Sequence, residues 1–166
     1  ILGSLGVHEH WNNAIEKQYT RNLGTGNGIE LVRIINGQQD DPWINELMGE
    51  KVNSIYVDSF DVKWFGTEMG LYRFDDTTWT NITTETVPPS GEGFRSNHIR
   101  NLAYERTAYG HEIWMATDSG LSVAGFDVDG ITSATTYHTG NSDILSDDVQ
   151  AIGVDIGHNR WAGPPA

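Results

Sequence analysis

The sequence contains no cysteine, which excludes disulfide bonds, thiol catalysis and cysteine-ligated zinc. Positive charge is also scarce, because 10 Lys and Arg stand against 23 Asp and Glu and give a formal net charge of −13. This excess of negative charge repels phosphate backbones and anionic lipid headgroups, so neither nucleic acid nor a membrane surface is an expected partner. Cations, neutral ligands and other proteins stay open as partners.

Long apolar stretches and catalytic motifs are absent as well. No apolar run approaches the roughly 18 residues needed to cross a bilayer, so no membrane insertion is expected. The sequence has no nucleophile elbow, Walker loop, His-Glu-x-x-His zinc motif or dinucleotide-binding fingerprint. We therefore expect that the chain is not an enzyme and needs no cofactor.

The sequence does contain a pattern that recurs three times. Each copy opens with an apolar stretch that ends in an acidic residue, and a second β-rich stretch with a tryptophan follows. The tryptophans, Trp64, Trp114 and Trp161, lie 50 and then 47 residues apart, a period that indicates a repeat architecture. Packing between neighbouring repeats is the role that we predict for all three indoles.

Each complete repeat has the composition of four short β-strands separated by glycine- and aspartate-rich turns. Four strands in such a period is the content of one propeller blade. The sequence therefore predicts an all-β fold, a partial β-propeller with four-stranded antiparallel blades, of which two are complete and have partial neighbours.

The predicted organisation has five segments. Residues 1–36 are the end of an upstream domain or a degenerate blade, 37–51 a linker, 52–98 and 99–148 one blade each, and 149–166 the truncated start of a further blade. Truncation leaves strand edges and apolar faces uncovered. We therefore expect other parts of the same protein, or neighbouring chains, to complete the propeller.

The repeat resembles that of the two-component regulator propeller family. The likeness lies in Trp64-Phe65-Gly66-Thr67, the following Gly70-Leu71, and the strand ending in Asp58 that precedes them. Ala116 in place of the glycine, and Pro164-Pro165 in the third copy, depart from the pattern. The resemblance implies a β-propeller in the periplasmic sensor half of a hybrid histidine kinase or in another secreted or surface protein, and it assigns no catalytic residue.

The N-terminal segment offers a second resemblance and a candidate metal site. Leu5-Gly6-Val7-His8-Glu9-His10-Trp11 is similar to the C-terminal end of a family of uncharacterised secreted bacterial proteins. On a β-strand His8 and His10 share a face, so that both imidazoles can reach one zinc or copper ion. No third ligand is identifiable, and a structural or solvent-facing role is the competing interpretation.

Asn53, Arg100 and Gln150 occupy the same position in the three opening stretches. These stretches are the most apolar, which predicts that they are the innermost strands, beside the central channel of a propeller. The three side chains are then candidate ligand-binding residues, with a glycan or another small ligand as the partner.

These observations favour a non-enzymatic propeller module of a secreted or cell-surface bacterial protein, with a binding or scaffolding role. One alternative is the periplasmic ligand-sensing propeller of a hybrid two-component histidine kinase. Another is an accessory domain of an extracellular enzyme whose catalytic residues lie elsewhere. The expected location is secreted, on the cell surface or periplasmic.

Overall fold

The computed structural model describes residues 51–87 and 92–164 in full, together with the strand backbones at 6–11, 14–22, 28–35 and 38–40. The chain divides into two compact units, Ile1–Val52 and Asn53–Ala166. All regular secondary structure in the described ranges is β-strand. A helix able to span a membrane is not found in this part of the chain.

The first unit is a four-stranded antiparallel sheet whose strands follow one another in chain order. They are β1 (Gly6–Trp11), β2 (Ala14–Asn22), β3 (Gly28–Ile35) and β4 (Gln38–Asp40). β4 lies within residues 37–51, the range that the sequence assigns to a linker. The strand order is the same as that of the complete sheets in the second unit.

The described residues from Val52 onward form two complete antiparallel sheets and one strand pair, again in chain order. The first sheet comprises β5 (Val52–Val57), β6 (Lys63–Thr67), β7 (Leu71–Phe74) and β8 (Trp79–Ile82). The second comprises β9 (Ile99–Thr107), β10 (Gly110–Thr117), β11 (Gly120–Asp127) and β12 (Gly130–Tyr137), and the pair is β13 (Ala151–Val154) with β14 (Arg160–Gly163). The predicted all-β partial propeller with four-stranded antiparallel blades is thus confirmed.

The Thr-x-x-Gly part of the repeat forms the turn between the second and third strands of each complete blade. Thr67 Oγ1 donates a hydrogen bond to the carbonyl of Gly70 at 2.8 Å, and Thr117 Oγ1 does the same to Gly120 at 2.7 Å. Both glycines have a positive φ, 125° and 127°, which an L side chain rarely adopts. The turn therefore requires the threonine and the glycine, and this explains why both recur in the repeat.

In the first and third copies the acidic residue that ends the opening strand caps the next turn. Asp58 accepts hydrogen bonds from the backbone N–H of Phe60 and of Val62, and from Trp64 Nε1 at 2.7 Å. In the third copy, Asp155 accepts one from Trp161 Nε1 at 2.9 Å. Hydrogen bonds from side chains and backbone around it hold the pKa of Asp155 well below its ordinary value.

Each blade packs on the next through an apolar core. Between the first and second blades, Trp64 and Phe126 have ring centroids 4.8 Å apart, and Ile99 belongs to the same buried cluster. Between the second and third blades, Trp114 clusters with Val149. The residue that opens each following blade, Ile99 or Val149, thus packs in the same core as the tryptophan of the blade before it.

The tryptophan of the third copy departs from this arrangement. Trp64 is completely buried and Trp114 is 6% exposed, whereas Trp161 is 67% exposed. The prediction of a packing role is therefore wrong for Trp161. Its burial requires a following blade, and none follows β14 in the described part of the chain.

Candidate ligand-binding site at the blade junctions

The candidate residues Asn53 and Arg100 make equivalent bonds across successive blade junctions. Asn53 Nδ2 donates a hydrogen bond to the carbonyl of Ile99 at 2.8 Å, and Arg100 Nη1 donates one to the carbonyl of Val149 at 3.0 Å. Ile99 and Val149 hold the same position in their repeats. We call this bond the first latch, because it fastens each blade to the blade that follows.

A β-bulge in the second blade places Arg100 for this role. Thr117 pairs with Ile99 and Ala116 pairs with Asn101, so that Arg100 has no partner on β10. An extra residue of this kind bends the strand and re-aims its side chain. The guanidinium group is thereby directed at the third blade.

A second latch uses the next residue of each opening strand, which sequence reasoning missed. Ser54 Oγ accepts a hydrogen bond from the backbone N–H of Leu102 at 3.1 Å, and Asn101 Oδ1 accepts one from Ile152 at 3.1 Å. The sequence signal that could have identified this latch is a polar residue at the same position in the first two copies. The third copy has Ala151 there, which offers no acceptor.

Arg100 and Gln150 are brought together through Asp148. Asp148 Oδ1 forms an ion pair with Arg100 and accepts a hydrogen bond from Gln150 Nε2 at 3.2 Å. Asn53 does not join this group, because its amide is bonded at the preceding junction. Asn53 and Arg100 are half-buried, whereas Gln150 is exposed.

His98 occupies the position in the first junction that Asp148 occupies in the second. Its Nδ1 lies 3.3 Å from Asp118 Oδ2, and its Nε2 lies 3.9 Å from Glu68 Oε1. Desolvation raises the pKa of Asp118, but hydrogen bonds from Ser96 and Ser119 and the charge of His98 outweigh it and lower the pKa. Imidazole, carboxylate, guanidinium and amide groups therefore lie along the two junctions, and we call this set the polar strip: Glu68, His98, Arg100, Asp118, Asp148, Gln150.

The groups of the polar strip can hold a polar ligand by hydrogen bonds. The charge of Arg100 is balanced by Asp148, so the strip offers donors and acceptors without a surplus of positive charge. In residues 51–87 and 92–164, no three His, Cys, Asp or Glu side chains are grouped so that they could hold a metal ion. The predicted ligands His8 and His10 lie on β1, and their side chains fall outside the described residues.

Aromatic side chains form a separate cluster at the first junction, which the sequence did not predict. The rings of Tyr56 and Tyr104 stack with centroids 5.1 Å apart, and Tyr104 Oη lies 2.7 Å from His111 Nδ1. The ring centroids of Phe60 and His111 lie 4.6 Å apart, and Phe60 is 43% exposed. Phe60 is the ring that this cluster exposes most clearly, and the others serve mainly to pack the two blades together.

The sheets and their junctions define this part of the chain as a β-propeller segment. Neither a protein-family model nor a curated protein matches the sequence, so the N-terminal resemblance finds no support. Solved structures do match. The extracellular domain of BT3049, described as a hybrid two-component system of B. thetaiotaomicron, has a TM-score of 0.58 and 21% identity, and the match covers 89% of this chain and 18% of that one.

PorZ, a bacterial surface component of the type IX secretion system of Porphyromonas gingivalis, is a second similar structure. It has a TM-score of 0.53 and 15% identity, and the match covers 88% of this chain and 23% of PorZ. The chain thus spans about a fifth of the length of these two structures. At these identities the likeness shows a shared fold.

Proposed function

We propose that the chain is a non-enzymatic, ligand-sensing segment of an extracellular or periplasmic bacterial propeller, of the two-component regulator type. The observation that carries this proposal is the fold likeness to the extracellular domain of BT3049, which extends over 89% of the chain. The repeat pattern, complete as Trp-x-Gly-Thr-x-x-Gly-Leu in the first copy and with Ala116 for the glycine in the second, supports it, because its residues form the turns and blade cores described above.

The polar strip is the proposed ligand contact, with Asn53 at its margin. A net charge of −13 disfavours anionic ligands. The strip's neutralised ion pair and its amide suit a neutral, polar ligand such as an oligosaccharide, which binds through many hydroxyl groups. Gln150 is an accessible member, because the residue is exposed and its side-chain amide donates a hydrogen bond to Asp148.

The test is a thermal-shift screen of the full chain with neutral oligosaccharides, followed by calorimetric titration of each hit. Ligand binding to the native state raises the melting temperature, and the rise grows with the logarithm of the ligand concentration relative to Kd. Gln150→Ala is expected to reduce the shift, whereas Thr80→Ala, an exposed change on the outer strand β8, is expected to leave it unchanged. Equal shifts in both variants would remove the polar strip as the site, and hydrolysis of a bound sugar would contradict the non-enzymatic role.

A scaffolding role at the bacterial surface is the second candidate, and the likeness to PorZ favours it. It predicts that the chain binds other proteins and shows no saturable binding of small ligands. The same screen therefore separates the two candidates, because a scaffold gives no oligosaccharide-dependent shift.

A further inference from the structure

The second copy of the repeat uses the acid at the end of its opening strand differently from the other two copies. Asp58 and Asp155 each accept a hydrogen bond from the tryptophan of their own repeat, Trp64 or Trp161. In the second copy the acid is Glu105 on β9, and its carboxylate contacts the third blade instead. Its side chain is only 2% exposed, and a charge so far removed from water requires a partner of opposite sign.

The third blade supplies that partner from its first turn and its second strand. His158 Nδ1 lies 2.8 Å from Glu105 Oε1, and Arg160 Nη2 lies 2.7 Å from Glu105 Oε2. Arg160 also reaches Glu112 Oε2 at 3.5 Å, and its guanidinium carbon stands 4.9 Å from the centroid of the Trp114 ring. We call the four charged or titratable residues of this group the ionic clamp: Glu105, Glu112, His158, Arg160.

Arg160 relieves a conflict within the second blade. Glu105 on β9 and Glu112 on β10 are direct partners in the sheet, and like charges opposite each other are destabilising. Trp114 Nε1 donates a hydrogen bond to Glu112 Oε2 at 3.0 Å, but an indole N–H carries no formal charge. Arg160 contacts both carboxylates, so the second blade depends on the third for the neutralisation of its own acids.

The first junction has a different arrangement at the equivalent positions. Arg160 directly precedes its repeat tryptophan, and Lys63 and Ile113 hold that position in the first two copies. Lys63 pairs with Asp61 and Asp76 of its own blade, both at 3.0 Å. Ile113 is completely buried and carries no charge, so this position supplies no counterpart of Arg160 to the first junction.

From this geometry we propose that the ionic clamp is a conformational device, which keeps the third blade docked only while a positive side chain balances Glu105. Removal of the positive partner from a docked junction leaves a buried carboxylate uncompensated, which is strongly destabilising. The carboxylate then returns to water through release of the third blade. The proposal is independent of the proposed ligand site, because Arg100 lies at the start of β9 and Glu105 near its end.

Amide hydrogen exchange, resolved by nuclear magnetic resonance on the full 166-residue chain, tests the proposal. The backbone N–H groups of Val149 and Ile152 donate hydrogen bonds to acceptors in the second blade, so their exchange reports the opening of the clamped junction. The backbone N–H of Leu102 donates across the first junction and serves as the internal reference. All three amides are expected to be protected in the unmodified chain.

Three variants separate charge balance from simple packing. Arg160→Gln removes the counter-charge and is expected to speed exchange at Val149 and Ile152 by about 10- to 100-fold, with Leu102 unchanged. Glu105→Gln removes the need for a counter-charge and is expected to have little effect. The double variant is expected to exchange like Glu105→Gln and more slowly than Arg160→Gln, because it leaves no buried charge at this position.

Arg106→Gln is the matched control, since it removes the same charge from an exposed residue beside Glu105 and is expected to leave the three amides unchanged. Parent-like exchange in Arg160→Gln, or unprotected junction amides in the parent, would overturn the proposal. A double variant that opens as readily as Arg160→Gln would also overturn it and assign Arg160 to packing on Trp114. If Arg160→Gln fails to fold, the double variant decides: a docked third blade supports the proposal, and an unfolded chain refutes it.

Discussion

Gly66 lies at a close approach between the first two blades, and its replacement by alanine gives a direct test of the junction. The added methyl group would stand 2.7 Å from Ile99 Cγ2 and 3.3 Å from Leu102 Cγ. Ordinary van der Waals contact begins near 3.4 Å, so the second blade must move away from the first. Overpacking of this kind destabilises a fold by about 1–3 kcal/mol.

The chain supplies its own control for this substitution. Gly163 holds the same position in the third copy, and a methyl group there meets no atom within 4 Å. Gly163→Ala is therefore expected to be neutral, or to stabilise by about 0.4–1 kcal/mol through the reduced freedom of the unfolded chain. The second copy has Ala116 at this position, completely buried, so a methyl group is tolerated where the neighbouring strand leaves room.

Urea unfolding followed by circular dichroism measures both effects. The midpoint is expected to fall in Gly66→Ala and to stay or rise in Gly163→Ala, with the slope unchanged in both. The double change Gly66→Ala with Ile99→Ala is expected to be less destabilising than the two single changes added together, because truncation removes the clashing methyl group. Equal midpoints for Gly66→Ala and Gly163→Ala would refute the close approach of the blades.

Two further predictions concern the first junction. Asn53→Ala removes the first latch and is expected to lower the free energy of unfolding by about 0.5–1.5 kcal/mol. Gln150→Ala, at an exposed position, is expected to have little effect, and the same urea titrations measure the difference. The lowered pKa of Asp118 means that its ionised form stabilises the fold above its ordinary pKa of 3.8, and this stabilisation is lost as the pH falls through the lowered value. Asp118→Asn is therefore expected to reduce the acid sensitivity of the urea midpoint, and an unchanged acid profile would contradict that role.

The fold was predictable because the requirements of a blade are local. A turn that needs a positive φ selects glycine at position 70, and an aspartate that caps a turn must stand close in sequence to the turn and its tryptophan. Such signals recur with the repeat and can be read without knowing the neighbours. The exposure of Trp161 was not predictable in this way, because burial depends on a blade that the sequence of its own repeat does not describe.

The candidate site was predictable only in part, for the same reason. The shared position of Asn53, Arg100 and Gln150 was visible in the sequence, but the partners of the first two are backbone carbonyls 46 and 49 residues away. A carbonyl carries no residue-type signal, so no pattern in the chain points to it. The second latch was missed because Ser54 and Asn101 share only polarity and not a residue type.

The structural role of these residues would be compatible with the proposed ligand-binding role if the two used different atoms. The first latch engages Asn53 Nδ2 and Arg100 Nη1, and the ion pair to Asp148 also uses Nη1. The carbonyl oxygen of Asn53 and Nη2 of Arg100 take no part in these latch bonds. A ligand held by those atoms would contact two adjacent blades through side chains that already fasten each blade to the next. Binding at the polar strip would then stabilise the junctions themselves, and the proposed sensing role would have a direct route from ligand contact to the packing of the blades.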